Sequence, residues 1–118
     1  MDKRILIGFH YPNHGKSTAL IATARGYQPV IAEDLDEMMA EARTLRYSRV
    51  IMDANFGFPG SINISPSVQV YELFKSLVEQ SLVKFLAISG DDEIVRLAKS
   101  KEIPAEVKGI MNLVSFLS

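Results

Sequence analysis

Five short apolar runs, spaced by helix-forming stretches, constrain the fold of this chain more than any other feature. The runs are RILIGF (residues 4–9), QPVIA (28–32), RVIMD (49–53), KFLAIS (84–89) and the shorter AEVK (105–108). Continuous apolar runs of this length are typical of strands that are buried on both faces. Strands that alternate with helices predict a parallel sheet that is covered by helices and wound through right-handed crossovers. We therefore expect a doubly wound α/β fold.

Capping signals locate the helices between these runs. The predicted helices cover residues 17–26, 34–45, a segment that begins at 65, residues 91–102 and residues 110–117. Asp34 and Glu37 have the spacing of a capping box. Ser65 before Pro66 predicts an N-cap followed by proline at the first helical position. The apolar stripe of the second helix is predicted to be Leu35, Met38, Met39, Ala42 and Leu45, and Tyr71, Phe74 and Phe85 are predicted core residues.

The composition limits the classes of protein to which the chain can belong. Its 118 residues are 47% hydrophobic, which is enough for one domain with a core, and we assign residues 1–118 to it. The absence of cysteine excludes disulfides, zinc–thiolate sites and thiol chemistry. The net charge of −1 is spread without a basic block, and no run reaches the ~18 apolar residues of a membrane span. We expect a cytoplasmic domain with neither a nucleic-acid nor a membrane partner.

Residues at the carboxyl ends of the predicted strands are the first candidates for a functional site, because ligands of open parallel sheets bind there. These residues are Phe9, His10, Asp53, Ser89 and Lys108.

A second candidate is the run Gly15-Lys16-Ser17-Thr18, which matches the end of a phosphate-binding loop. The full motif needs four residues between its glycines, because their backbone N–H groups surround the phosphates. Six residues separate Gly8 from Gly15, and one of them is Pro12, which has no N–H. We therefore favour residues 14–18 as a solvated approach to the first helix, and nucleotide binding is the third of our hypotheses.

With Asp53, Ser89 and Lys108 ending successive strands, the whole chain resembles the receiver domains of two-component response regulators, the CheY-like fold. The resemblance implies a five-stranded sheet in the order 2-1-3-4-5. It implies that Asp53 accepts a phosphoryl group from a histidine kinase or phosphotransfer protein, that the Ser89 hydroxyl turns toward that group, and that Lys108 pairs with it. It also implies Mg²⁺ held by Asp53 and the backbone carbonyl of Asn55, with Gly90 leaving access.

The chain departs from the receiver pattern at the metal site and at the switch. Receivers carry two acids at the end of the first strand to hold Mg²⁺, whereas this chain has Phe9 and His10 there. Mg²⁺ prefers oxygen ligands, which neither side chain offers. Ala105 replaces the aromatic switch residue, Gly109 replaces the proline after the lysine, and the Pro-Gly at 59–60 comes two residues late.

Two hypotheses follow from this resemblance, and neither makes the chain an enzyme. In the first, it is a phosphorelay receiver with Asp53 as the acceptor. In the second, it is a phosphorylation-independent pseudo-receiver that binds a downstream protein partner. By analogy with the family, the partner would dock on the last helix and the neighbouring strand.

Overall fold

A computed structural model describes residues 3–118, and in that part of the chain five strands alternate with five helices. The elements are β1 (Arg4–Gly8), α1 (Pro12–Ala24), β2 (Gln28–Ala32), α2 (Leu35–Ala42), β3 (Arg49–Asp53), α3 (Ser65–Glu79), β4 (Lys84–Ser89), α4 (Asp92–Ser100), β5 (Ala105–Val107) and α5 (Ile110–Phe116). The strands form one parallel sheet in the order β2-β1-β3-β4-β5. The predicted fold class and strand order are confirmed. None of the helices in this described part is long and apolar enough to cross a membrane.

The sheet separates two apolar cores, because successive side chains of a strand point to opposite faces. Leu6 and Met52 pack with residues of α2, α3 and α4 on one face. Ile7 and Ile51, which lie opposite each other in the register, pack with residues of α1 and α5 on the other face. The carboxyl ends of β1, β3 and β4 therefore meet at one edge of the sheet, between the two helical layers.

The first helix begins earlier than the sequence indicated, and our prediction for residues 14–18 was wrong. α1 starts at Pro12, directly after the extended residue Tyr11. Proline favours the first helical position because its φ is already helical and its missing N–H would have no helical partner there. Residues 14–18 therefore lie within the first two turns of α1. Gly15 and Thr18 are buried there, and the other three residues are exposed.

The predicted cap of α2 is confirmed, whereas the predicted cap of α3 is wrong. The Asp34 carboxylate caps α2 by accepting the Glu37 N–H at 2.8 Å. Leu45 does not belong to the buried stripe, since it follows the helix with φ 54 and is 47% exposed. Ser65 is the first residue of α3 and not its N-cap. The Asn63 side chain accepts the Ser65 N–H at 3.0 Å and so takes the capping role.

Most of the predicted core residues are buried, and Phe56 is a buried residue that the sequence did not indicate. Met38, Tyr71, Phe74 and Phe85 all lie in the core under α2, α3 and α4, whereas Met39 is only partly buried against it. Phe56 belongs to the same core and is 2% exposed, although it lies in what reads as a polar loop. Its burial brings an aromatic ring beneath the carboxyl edge of the sheet.

Candidate functional site

Three of the five strand-end residues that the sequence singled out lie next to one another. Asp53 ends β3, Ser89 ends β4, and Lys108 directly follows β5. The Lys108 N–H donates to the Ser89 carbonyl at 2.8 Å and so extends the pairing of β4 with β5 by one residue. The Lys108 ammonium reaches back across β4, and its Nζ lies 2.9 Å from Asp53 Oδ1.

Both oxygens of the Asp53 carboxylate have partners from this chain. Oδ1 pairs with the Lys108 ammonium, and Oδ2 accepts the backbone N–H of His10 at 2.7 Å. The imidazole Nε2 of His10 lies 3.7 Å from the same Oδ2. Asp53 is 2% exposed, and Gly90 lines the same cavity as Asp53. A carboxylate this deeply buried needs such charged and hydrogen-bonding partners.

Asn55 fixes the tautomer of His10. Its amide nitrogen donates to the carbonyls of Phe58 and Ser61, at 3.2 and 2.7 Å. Asn55 Oδ1 must then face His10 Nε2, 2.9 Å away. An amide oxygen only accepts, so Nε2 carries the hydrogen of this bond. The lone pair that a metal would need at Nε2 is therefore absent.

Phe56 packs beneath His10 and fills the end of β1. The two rings have their centroids 6.0 Å apart. A Cβ on Gly8 would lie 2.8 Å from Met38 Sδ and 3.1 Å from Phe56 Cε2. Gly8 therefore permits the close approach of these side chains, and the floor of the site is apolar. No local sequence signal marks this contact, because it joins residues that only the fold brings together.

These residues do not fit a Mg²⁺ ion. Mg²⁺ requires near-octahedral oxygen ligands. Asp53, one of the two predicted ligands, is already paired with Lys108, and Phe9 and His10 offer no side-chain oxygen beside it. Within residues 3–118 no three His, Cys, Asp or Glu side chains are grouped so that they could hold a metal ion. We derive no chemistry through a metal here.

Lys108 is held by three groups that come from different elements. Besides pairing with Asp53, its Nζ lies 3.3 Å from His14 Nδ1 and 5.3 Å from the centre of the Phe9 ring. A ring face attracts a cation at this distance. Phe9 and His14 thus help to position the ammonium over Asp53, roles that the sequence did not reveal.

Ser89 stabilises the connection between β4 and α4. Its Oγ accepts the Asp91 N–H at 3.1 Å, and the Asp91 carboxylate accepts the Glu93 N–H at 2.9 Å. These bonds lead the chain from β4 into α4. Ser89 is 6% exposed and lines, with Asp53 and Lys108, a cavity of about 330 Å³. At the switch position, Ala105 is buried and offers no ring to reorient.

The candidate phosphate-binding loop, residues 15–18, lies within helix α1. Only residues 9–11 connect β1 with α1, and the Gly15 N–H already donates to the Tyr11 carbonyl within the first turn. A Cβ on Gly15 would lie 3.2 Å from Ile31 Cγ2, so this glycine lets α1 approach β2. The arrangement does not support the nucleotide hypothesis, because few free N–H groups are left to surround a phosphate.

No protein-family model and no curated protein matches the sequence, but solved structures match its fold. A response regulator of Burkholderia pseudomallei, solved with a phosphorylated aspartic acid, a calcium ion and citrate, has a TM-score of 0.74 and 16% identity over 99% of this chain and 67% of its own. CheY4, a chemotaxis protein of Vibrio cholerae, has a TM-score of 0.66 and 18% identity over 99% and 97%. The receiver domain of the hybrid histidine kinase CckA has a TM-score of 0.61 and 20% identity over 95% and 93%.

The chain has the CheY-like receiver fold. At these identities the likeness concerns the fold, and the function has to be argued from the site. The receiver fold places Asp53 at the centre of the carboxyl edge, with Lys108 beside it. The side chains in this site differ from the receiver pattern, since Phe9 and His10 stand where receivers carry metal-binding acids, and Phe56 packs against His10.

Proposed function

We propose that this chain is a pseudo-receiver, a non-enzymatic protein-interaction module that works without Mg²⁺ and without phosphorylation. The observation that carries the proposal is the occupation of both Asp53 oxygens by Lys108 and His10. A phosphodonor and a carboxylate are both anionic, so attack needs a cation between them and a clear approach. Here the Lys108 ammonium is already paired with Asp53, and Asp53 is only 2% exposed. No three His, Cys, Asp or Glu side chains of residues 3–118 are grouped so that a metal ion could supply a second cation.

In this proposal Lys108 and His10 replace the metal as the permanent compensation of a buried negative charge. The ammonium and the backbone N–H each give the carboxylate a charge-assisted hydrogen bond. The site then holds the carboxyl ends of β1, β3 and β5 in one arrangement. A fixed arrangement suits a binding scaffold better than a switch.

The partner surface we propose lies on β5 and α5. Val107, Ile110 and Met111 are 40%, 59% and 76% exposed there. Grouped apolar side chains at a surface mark sites of protein interaction. The Asn112 side chain donates to the Val107 carbonyl at 2.6 Å and so connects the two elements. We infer a protein partner with an apolar docking surface.

The test is the intact mass of the protein after incubation with acetyl phosphate, with and without Mg²⁺. We expect no phosphate adduct on the wild-type chain under conditions that modify an authentic receiver. Circular dichroism of the same sample establishes that the chain is folded. A Mg²⁺-dependent adduct that disappears in Asp53→Asn would contradict the proposal.

Such an adduct would support a second candidate, a phosphorelay receiver served by a histidine kinase or phosphotransfer protein. The observation that favours this candidate is the convergence of Asp53, Ser89 and Lys108 on one cavity. In that case Asp53 would be the acceptor, Lys108 its charge partner and Ser89 the hydroxyl that turns toward the phosphoryl group.

A further inference from the structure

A cavity of about 250 Å³ lies between α1 and α5, on the other side of Lys108 from the Asp53 cavity. Its walls are apolar and include Phe9, Ile21, Ile51, Ile88, Ile110 and Leu113. We propose that this cavity binds a small carboxylic acid with a compact apolar body, whose carboxylate pairs with Lys108. The volume lies just below the ~300–1,000 Å³ of typical ligand pockets, so the body is a single ring or a short chain.

Lys108 supplies the charge that recognises the carboxylate. An ammonium has three N–H donors, of which Asp53 Oδ1 and His14 Nδ1 accept two. The third is available to a ligand without breaking the pair with Asp53. Because the ammonium can only donate, His14 accepts at Nδ1 and carries its own hydrogen at Nε2. The polar end of the cavity thus holds a cation and a second donor.

Thr18 adds a hydroxyl to the lining of the cavity. It lines the cavity on α1 and is 5% exposed. A hydroxyl can donate a hydrogen bond, so Thr18 can bind the same carboxylate as Lys108. In the described part of the chain no acidic side chain lines this cavity, which favours an anion over a cation.

The position of α5 makes the cavity adjustable. None of the seven residues of α5 is fully buried, although Leu113 and Phe116 pack against the core, so this wall can shift with little loss of burial. The proposal goes beyond the pseudo-receiver function, because Asp53 is not among the residues that line this cavity.

The probe we would use is phenylacetate, compared with phenylacetamide, which lacks the charge, and acetate, which lacks the apolar body. Methyl NMR spectra would report Ile21, Ile88 and Leu113, with Ile94 in the opposite core as the internal control. We expect saturable shifts at the first three residues with phenylacetate and about tenfold weaker binding of phenylacetamide, since a charge-assisted hydrogen bond is lost. We expect none with acetate.

Two variants test the polar end of the cavity. Lys108→Met should weaken phenylacetate binding by about tenfold or more, and the exposed Lys101→Met should leave it unchanged. Thr18→Val keeps the shape of the side chain and the fold, and should weaken binding by severalfold, with the exposed Thr23→Val as its control.

Three results would overturn the proposal, and none of them bears on whether Asp53 is phosphorylated. Equal binding of the acid and the amide would show an apolar groove without recognition of charge. Unchanged affinity in both Lys108→Met and Thr18→Val would place the ligand elsewhere. No saturable shift with phenylacetate would leave the groove to the side chains of a protein partner.

Discussion

At the scale of single residues, the compensation of the Asp53 charge decides what the site can do. Its oxygens bind the Lys108 ammonium at 2.9 Å and the His10 N–H at 2.7 Å. The His10 imidazole is in turn fixed by Asn55. Strand order and residue type predicted that Asp53 and Lys108 would meet. The role of His10 was not predictable, because it depends on a backbone N–H and on an amide orientation.

Replacing Lys108 with methionine should destabilise the fold. The change removes the cation that pairs with Asp53, whose side chain is 3% exposed. We expect a loss of about 3 kcal/mol in the free energy of unfolding. This value is at the lower end of the destabilisation expected for a broken buried ion pair, because the Lys108 side chain is itself 29% exposed. Urea unfolding measures the loss, with Lys101→Met as the exposed control. Adding Asp53→Asn to Lys108→Met should restore part of it, and a double variant no more stable than the single one would contradict the pairing.

Replacing Gly8 with alanine should also destabilise the chain. The added Cβ would lie 2.8 Å from Met38 Sδ and 3.1 Å from Phe56, and an overpacked core costs about 1–3 kcal/mol. Thermal unfolding should show the loss in Gly8→Ala and little change in Gly90→Ala, where a Cβ would meet nothing within 4 Å. Equal stability of the two variants would mean that Phe56 does not pack beneath the site as described.

At the scale of elements, Tyr47 connects the last turn of α2 with the start of β3. Its hydroxyl donates to Glu41 Oε1 at 2.5 Å, and it is 4% exposed. Burial, followed by this hydrogen bond and the Glu41 charge, raises the pKa of Tyr47 above its ordinary value of 10.0. Tyr47 therefore resists ionisation in the folded chain more than in the unfolded chain.

The raised pKa of Tyr47 predicts a loss of stability in alkali. Below pH ~10 the phenol is neutral in both states, and its contribution is fully present. As the pH rises beyond this value the unfolded chain releases the proton first, so the free energy of unfolding falls. Guanidinium unfolding between about pH 9 and about pH 11 should show a smaller fall in Tyr47→Phe. Parallel profiles of the two proteins would contradict this role of Tyr47.

The last helix should tolerate change, because none of its residues is fully buried. Ile110→Ser with Met111→Ser removes two exposed apolar side chains of the proposed partner surface. We expect the free energy of unfolding to change by less than ~0.5 kcal/mol per substitution, as for other surface positions. Leu117→Ser, at a residue that is 3% exposed, is the contrasting variant and should cost more. A large loss in the first variant would assign these side chains to the core.

At the scale of the whole molecule, the alternation of apolar runs with helices was enough to predict the fold class. The strand order 2-1-3-4-5 was predicted from the resemblance to receiver domains. The predictions for the start of α1 and the cap of α3 were wrong because another nearby residue takes each role. Pro12 begins α1, and the Asn63 side chain caps α3. Because Asp53, Ser89 and Lys108 end successive strands, the sequence predicted that they lie close together. Burial of Asp53 and the packing of Phe56 depend on contacts between distant segments, which one sequence does not encode in any local pattern.

The pseudo-receiver function requires that this chain compensates the Asp53 carboxylate with its own groups. The most direct test is a Mg²⁺ titration followed by the backbone amide resonances of His10 and Asn55, with an authentic receiver as the positive control. We predict no saturable shift at either amide, because Lys108 and the His10 N–H already occupy Asp53. A saturable shift at both amides, lost in Asp53→Asn, would show that the site binds the metal and would contradict the pseudo-receiver assignment.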